Sequence, residues 1–546
     1  MPYRYDNSAY RATFDANFTY LAGFWRNVRR FGHRPALVDP GSGASWTYAE
    51  LGDVVAQLAQ GLADRGVGPG DVVTYQLFNS AEFAQLYLAI EHLGAIASPI
   101  NFRFSPGETA HVLDDSLPRV FVYDATLAES TATALELAEH RPGVLIAVGG
   151  DPGVDGAERY EDLPAQPGIR KPYDRATAWD ESLRLYTSGT TGMPKGVSLP
   201  NAAEVLSAHD VIMHFPLAPQ DKTMNMTPWF HRGGISSGGP QPVFYVGAAS
   251  VILKHFDADL VLDLVEQEGL TFLIGAPTNL ALLAAAQEKK PRDLQTLHGI
   301  VTMGAPLERA ACLRYQEVLT PRIFNGYGTT EAFWNTFLRP ADLPDHAGSA
   351  GQACTDDDVR VVNVYEDRPA DPDDLAAKDG ATTGEVIMRS LKSGYAYVNK
   401  PDEQQAKFRD GWLYSGDLGT WDDAEFVTIA GRKDDMIISG GENVHPVQVE
   451  EVLNEHPAVV DSIVVGLPDE RWGEVVVAFV QSSDSGLTAT ELDKHCLASP
   501  MLADFKRPRR YGFVDELPRT ATGKKMHYVI RGRLTDPAVV DQLHKP

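Results

Sequence analysis

Thr187-Ser188-Gly189-Thr190-Thr191-Gly192-Met193-Pro194-Lys195-Gly196 is the densest chemical signal in the chain, and it follows directly on the apolar pair Leu185-Tyr186. Small residues let backbone N–H groups face a ligand, the hydroxyls add donors and Lys195 adds a point charge, a combination that suits a polyphosphate. The stretch is not a Walker A loop, because Pro194 stands where the spacing fails and no Gly-Lys-Ser/Thr follows. Working outward, strand-like apolar runs at 72–77, 120–123, 144–148 and 250–253 alternate with helical periodicity. One helical run, from Trp46 through Leu58 and Leu62, ends at Gly66-Val67-Gly68-Pro69-Gly70; another spans 81–93. Alternation of this kind predicts parallel α/β layers.

The pattern changes twice. Segment 341–389 is rich in Asp, with short β-like runs at 359–365 and 384–388, and predicts a smaller β-rich subdomain. After Gly431 a strand at 436–439, a helix at 447–454, strands at 462–465 and 475–481 and a helix at 489–496 predict a compact α+β domain, large enough to fold alone. The expected division is therefore 1–431, a large domain of α/β layers with a β-rich subdomain, and 432–546, a small C-terminal domain. A length of 546 residues fits two to four packed units.

Composition narrows the partners. Hydrophobic residues at 43% and charged residues at 22% are ordinary for a globular protein, while a formal charge of -26 repels nucleic acid and anionic lipid surfaces. Cys312, Cys354 and Cys496 are too few and too scattered for a disulfide framework or a zinc site. Residues 1–20 lack an apolar leader core, and no stretch reaches the roughly 18 apolar residues of a membrane span. A reducing, cytoplasmic setting is the expectation, with monomer and homodimer both open.

Three further clusters carry chemistry. Asn325-Gly326-Tyr327-Gly328-Thr329-Thr330-Glu331 combines an aromatic face for a base, hydroxyls for a phosphate and a carboxylate able to hold Mg²⁺. Met303-Gly304-Ala305-Pro306-Leu307 closes a strand-like run at 299–302 and offers one wall of a flat pocket. Tyr414-Ser415-Gly416-Asp417-Leu418 puts a carboxylate in an expected turn, suited to a ribose diol.

In this order, and followed by Gly431-Arg432-Lys433-Asp434-Asp435-Met436-Ile437, Gly440-Gly441-Glu442-Asn443 and Pro518-Arg519-Thr520-Ala521-Thr522-Gly523-Lys524, the clusters resemble the adenylate-forming superfamily of acyl-CoA synthetases, adenylation domains and luciferases. The resemblance runs from about Trp46 to Arg531. It implies an ATP-dependent ligase that activates a small carboxylic acid as an acyl-adenylate, releases pyrophosphate and passes the acyl group to CoA. A carrier protein, an amine or nitrite would be the alternative acceptors. No carrier domain follows in this chain, so a stand-alone ligase is expected.

The resemblance also implies roles. Thr187, Ser188, Gly189, Thr190, Thr191, Gly192 and Lys195 would cover the ATP phosphates. Tyr327, within Asn325, Gly326, Gly328 and Thr329, would stack on adenine near Gly304, Ala305 and Pro306. Thr330 and Glu331 would meet phosphate and Mg²⁺; Asp417 and Arg432 would hold the ribose hydroxyls. Asp434 would be the hinge of a mobile C-terminal domain, Lys524 would reach the acyl carboxylate and the α-phosphate, and Gly440 and Gly441 would line the pantetheine tunnel. Trp229-Phe230-His231-Arg232-Gly233-Gly234 resembles the segment that gates the acyl pocket, with His231 as the gate; for Arg232 contact with a polar acid is one reading and a solvated side chain the expected one. Phe333 and Trp334 either shape that pocket or pack the core.

Departures from the family pattern are the absence of a histidine after Gly196, His445 in place of an aromatic or aliphatic residue, and Lys525 beside Lys524; the reactive amine is assigned to Lys524 because it follows Gly523. One rival reading is a hydrolase, since Gly234-Ile235-Ser236-Ser237-Gly238 fits a GxSxG nucleophile elbow, but the Pro, Arg and Gly within 227–233 leave no strand to carry it. A non-catalytic nucleotide-binding scaffold is disfavoured by the joint presence of Lys524, Glu331 and Asp417.

Overall fold

Capped helices set between apolar strands build the large domain. Thr47 and Glu50 form a capping box at the start of helix Tyr48–Asp64, and Ser105 and Glu108 do the same for Pro106–Ser116. A computed structural model of the protein describes residues 6–188, 193–365, 368–439, 442–469, 472–499, 502, 504–519 and 523–546.

Two large sheets result. The first runs in the order Gln352–Ala353, Phe333–Leu338, Ile323–Thr329, Gly299–Met303, Phe272–Gly275, Lys222–Asn225, Ala249–Val251, Pro35–Asp39 and Ala44–Thr47, parallel in its middle and antiparallel at its edges. The second is parallel through Val144–Val148, Val120–Asp124, Val72–Gln76, Ile96–Pro99 and Glu181–Ser188, and it ends in an antiparallel hairpin with Pro194–Pro200. One core joins them, filled by Tyr20, Phe24, Tyr48, Phe83, Trp229 and Phe244.

The β-rich segment is offset from the expected 341–389. Phe333–Leu338 is buried throughout and pairs antiparallel with Ile323–Thr329, so the chain up to Ala353 completes the first large sheet. The separate five-stranded sheet is built from Asp357–Val362, Gly384–Ser390, Phe408–Arg409, Trp412–Trp421 and Val427–Arg432.

From Ile437 onward a further five-stranded sheet has a core on each face. Helices Pro446–Asn454 and Ala489–Ala498 pack on one face around Val452, Leu453 and Leu492; His527–Arg533 covers the other around Ile463, Phe479 and Ile530. Among the described residues no helix is long and apolar enough to cross a membrane, and the three cysteines are buried free thiols.

Candidate active site

An open α/β sheet places its ligands in the cleft outside the carboxyl ends of its parallel strands, where Gly304, Ala305 and Pro306 follow Gly299–Met303. Asp417 lies inside strand Trp412–Trp421, not in the expected turn. Ser415, Gly416 and Asp417 together stand opposite Val386, a bulge made possible by Gly416 at φ +75° and pinned by the Ser415 hydroxyl donating to the Val386 carbonyl at 2.6 Å. The bulge aims the Asp417 carboxylate at two donors. Its Oδ2 accepts from the Tyr327 hydroxyl at 2.7 Å and its Oδ1 from Arg432 Nη1 at 2.8 Å. Burial, reinforced by the Asp417 charge, holds the Tyr327 hydroxyl well above its usual range, so it remains a donor.

Strand geometry also explains the glycines around Tyr327. A Cβ on Gly328 would stand 1.6 Å from the Phe333 carbonyl oxygen, and one on Gly326 would stand 2.7 Å from Trp334 Nε1. Asn325 is buried and donates to the Ser349 carbonyl, while the Thr329 hydroxyl accepts from the Ala332 N–H. Across the cleft, Gly304, Ala305 and Pro306 follow the buried strand Gly299–Met303 and turn back towards solvent, with Gly304 at φ +84°.

The phosphate-loop sequence is carried by the hairpin in which Thr187 pairs with Lys195. Its second strand docks on 396–398: the Val398 N–H donates to the Gly196 carbonyl, Tyr397 bridges Val197, and Lys195 is ion-paired with Glu403. The Tyr397 hydroxyl then donates to Glu331 Oε1 at 2.6 Å, which ties the hairpin to Glu331 and its neighbour Thr330. Tyr397, Glu403 and Lys407, whose ammonium donates to the Ser415 carbonyl, were missed in the sequence because no spacing connects them to the motifs they serve.

Two adjacent lysines of the C-terminal domain have different surroundings. Lys525 Nζ lies 2.9 Å from both Glu450 and Asp461 of its own domain. Lys524 instead faces the cleft, within electrostatic reach of Asp417, Arg432 and Asp435; crowding by protein lowers its pKa and Asp417 opposes that shift, although the side chain keeps access to solvent. Gly523, at φ +81°, sits against Thr278 of the large domain, where a Cβ would come within 2.7 Å of the hydroxyl oxygen. Gly189, Thr190, Thr191, Gly192, Gly440 and Gly441 lie outside the described residues, as do the side chains of Ser188 and Asp434.

On the other side of the cleft, His231 precedes the short helix Arg232–Ser236. It is half-buried, its Nε2 has no partner among the described residues, and burial with nearby Arg103 pushes it down to about 4. Arg232 is buried, contrary to the expectation of a solvated side chain. Its Nη2 donates to the Ser207 hydroxyl at 2.8 Å and the Lys392 carbonyl at 3.4 Å, and its guanidinium lies 5.5 Å from the Phe333 ring centre. Phe333 and Trp334 are both buried and stack at 4.7 Å. Ser236 is fully buried within that helix, with no strand leading into it, so the hydrolase elbow is absent.

Residues 24–395 match the AMP-binding enzyme family, and residues 448–524 match the AMP-binding enzyme C-terminal domain. The chain belongs to the AMP-binding enzyme family. This AMP-binding enzyme is 34% identical over 500 residues to an indoleacetate–CoA ligase of Aromatoleum aromaticum, covering 90% of the chain and 95% of the relative. Its fold matches the anthranilate CoA ligase AuaEII in complex with anthranoyl-AMP at TM-score 0.86 and 26% identity, over 96% of this chain and 99% of that one. ATP-bound MatB from Rhodopseudomonas palustris matches at TM-score 0.83 and 27% identity, over 96% and 99%. The protein is an adenylate-forming ligase of the acyl-CoA synthetase type, joining a carboxylic acid to CoA through an acyl-adenylate with ATP.

Proposed function

We propose that Lys524 is the residue that brings the acid carboxylate and the ATP α-phosphate together, and that the ligase divides at 431/432 into a large domain holding ATP and a small domain that swings about Asp434. The observation that carries the reading is the contrast between the neighbouring lysines: Lys525 is engaged by two acids of its own domain, and Lys524 faces the cleft near Asp417. Two anions must meet in the first step, so fixed positive charge is needed where negative charge accumulates. Lys524 and Lys195 supply it. Tyr327 packs against adenine, Asp417 and Arg432 orient the ribose, and the hairpin strands carry Thr187 and Lys195 to the phosphates.

Glu331 fits a Mg²⁺ site, because it offers a half-exposed hard oxygen ligand and Tyr397 fixes the carboxylate's orientation. The ion would neutralise phosphate charge there. The swing would then remove Lys524 and bring Gly440 and Gly441 towards the adenylate, opening a path for the CoA thiol. Neutral His231 closes the acyl side against water without adding a competing cation.

The acid is a small aromatic one. Phe230, Met303, Phe333 and Trp334 supply a largely apolar wall, and the names of the indoleacetate and anthranilate ligases support the same class. Three buried free thiols support the cytoplasmic setting. ATP–pyrophosphate exchange across a panel of aromatic acids, followed by mass spectrometry of products with and without CoA, tests the reading. Exchange without thioester would shift the acceptor to a carrier protein or an amine, and no exchange from folded protein would refute acid activation.

A further inference from the structure

The acyl side of the cleft gathers buried polar atoms that have no hydrogen-bond partner among the described residues: Arg232 Nε and Nη1, His231 Nε2 and Trp334 Nε1. Their contacts close a ring. Gly233, next to Arg232, lies against Met303 Sδ; Met303 pairs in register with Gly326; Gly326 abuts Trp334 Nε1; Trp334 stacks on Phe333; and Phe333 lies beneath the Arg232 guanidinium.

Within that ring Arg232 is the anomaly. A guanidinium 4% exposed is costly unless it is paired, and leaving donor groups bare adds to the cost. Its two acceptors, the Ser207 hydroxyl and the Lys392 carbonyl, are neutral and use only Nη2. The opposing charge it senses within the chain is Glu204, which makes no hydrogen bond to it. That carboxylate already accepts from Tyr87 at 2.6 Å and Ser182 at 2.8 Å, and burial biases it towards the protonated form. The three N–H bonds on Nε and Nη1 are therefore enclosed with neither an acceptor nor a full counter-charge, and a ligand reaches them only when the side chains that cover them shift. The Phe333 ring holds the guanidinium plane in place through a cation–π contact, so the donors are fixed before a ligand arrives.

We propose that the substrate is a carboxylic acid bearing a second carboxylate, which Arg232 receives through Nε and Nη1 beside the Phe333 ring. A hydroxyl or ketone would satisfy one donor but leave the charge uncompensated; a carboxylate does both. The inference rests on the reading of this cleft as the acid-activating site, and it names Arg232 as the residue that selects the acid.

The test uses the full-length protein with ATP, Mg²⁺ and CoA, and reads pyrophosphate release for matched acids: benzoate against the isomeric benzenedicarboxylates, and hexanoate against adipate. The best diacid is expected to exceed its monoacid partner by about tenfold or more in kcat/KM. Arg232→Met is expected to shift that ratio by about 30-fold or more towards the monoacid, since it removes one partner of a buried charge pair, and Arg232→Lys to recover part of it. Equal turnover of both members of every pair by the unaltered protein, or an equal loss on both in Arg232→Met, overturns the inference and leaves the ligase reading standing. Pyrophosphate from no acid at all removes both. If Arg232→Met fails to fold, the ratio measured on the unaltered protein decides alone.

Discussion

Asp417, on the proposed nucleotide side, accepts from both Tyr327 and Arg432, whereas Arg232, on the proposed acyl side, leaves two of its three nitrogens without an acceptor. Both groups are buried, so the difference is one of preparation and not of exposure. The Asp417 carboxylate is already paired within the chain, so a nucleotide bound there as proposed would add contacts to a fixed frame. The acyl side is left incomplete, so the ligand that completes it gains more than one that does not. On the proposed reading, selectivity for the acid has its physical basis in Arg232, while recognition of the nucleotide is pre-organised.

The largest effect expected from disturbing this contrast lies beneath Arg232. Lys392, whose carbonyl accepts from Arg232, places its ammonium between the buried carboxylates of Asp210 and Asp357. Lys392→Met strands two buried charges and should cost about 3–5 kcal/mol of stability in urea unfolding; a change below about 1 kcal/mol would mean the network titrates away its own charge.

Lys524→Ala comes next. Adenylation should fall by about 10²–10³, roughly 3–4 kcal/mol in the barrier, while thioester formation from a supplied acyl-adenylate stays much closer to the unaltered rate. Lys525→Ala should instead lower Tm modestly, because Glu450 and Asp461 each lose one basic partner while keeping His527 and Arg519; the reverse pattern would place the reactive amine at Lys525.

A pH series ranks third. His92 and His231 are both pushed down from 6.5 to about 4, chiefly by burial. The unfolded chain binds these protons near pH 6.5 and the folded chain only near 4. Their contribution to stability is thus full above about 6.5 and lost as pH falls towards 4, by at most ~3 kcal/mol for each residue. Asp357, raised to about 6, acts in the opposite sense over part of that window, so the informative quantity is the difference between the protein and His231→Phe. Identical acid-unfolding curves would show that His231 is hydrated.

The smallest effect is on the nucleotide side. Tyr327→Phe removes one of two donors to Asp417 and should raise KM for ATP by about tenfold with little loss of Tm, since Arg432 keeps the carboxylate paired. A loss shared equally between ATP and acid would blur the division between the two sides.

Much of the fold was legible in the sequence. The strands at 144–148 and 299–302 and the helices at 46–62 and 81–93 stand within a few residues of their expected places, since apolar periodicity and caps act locally. In the run from Asn325 to Glu331 chemistry and spacing coincide, and the structure joins that run to Asp417 through Tyr327 and to Tyr397 through Glu331. The environment of Arg232 was not: its partners stand 25 and 160 residues away, and a charged residue after a histidine gives no local sign of burial. Nor was the Asp417 bulge, which depends on a register shift against Gly384–Ser390. The preference for Lys524 over Lys525 rested on adjacency to Gly523 alone; the acids that engage Lys525 come from residues 450 and 461, far from it in sequence.

The strands that flank the phosphate-loop sequence are antiparallel partners, and the charge they carry is the Lys195 ammonium, itself ion-paired with Glu403. On the proposed reading, retention of the leaving pyrophosphate would rest in large part on that side-chain cation and a dissociable metal ion, both of which respond to the surrounding electrolyte. Rising ionic strength should therefore speed escape of this first product and make the forward commitment harder to reverse.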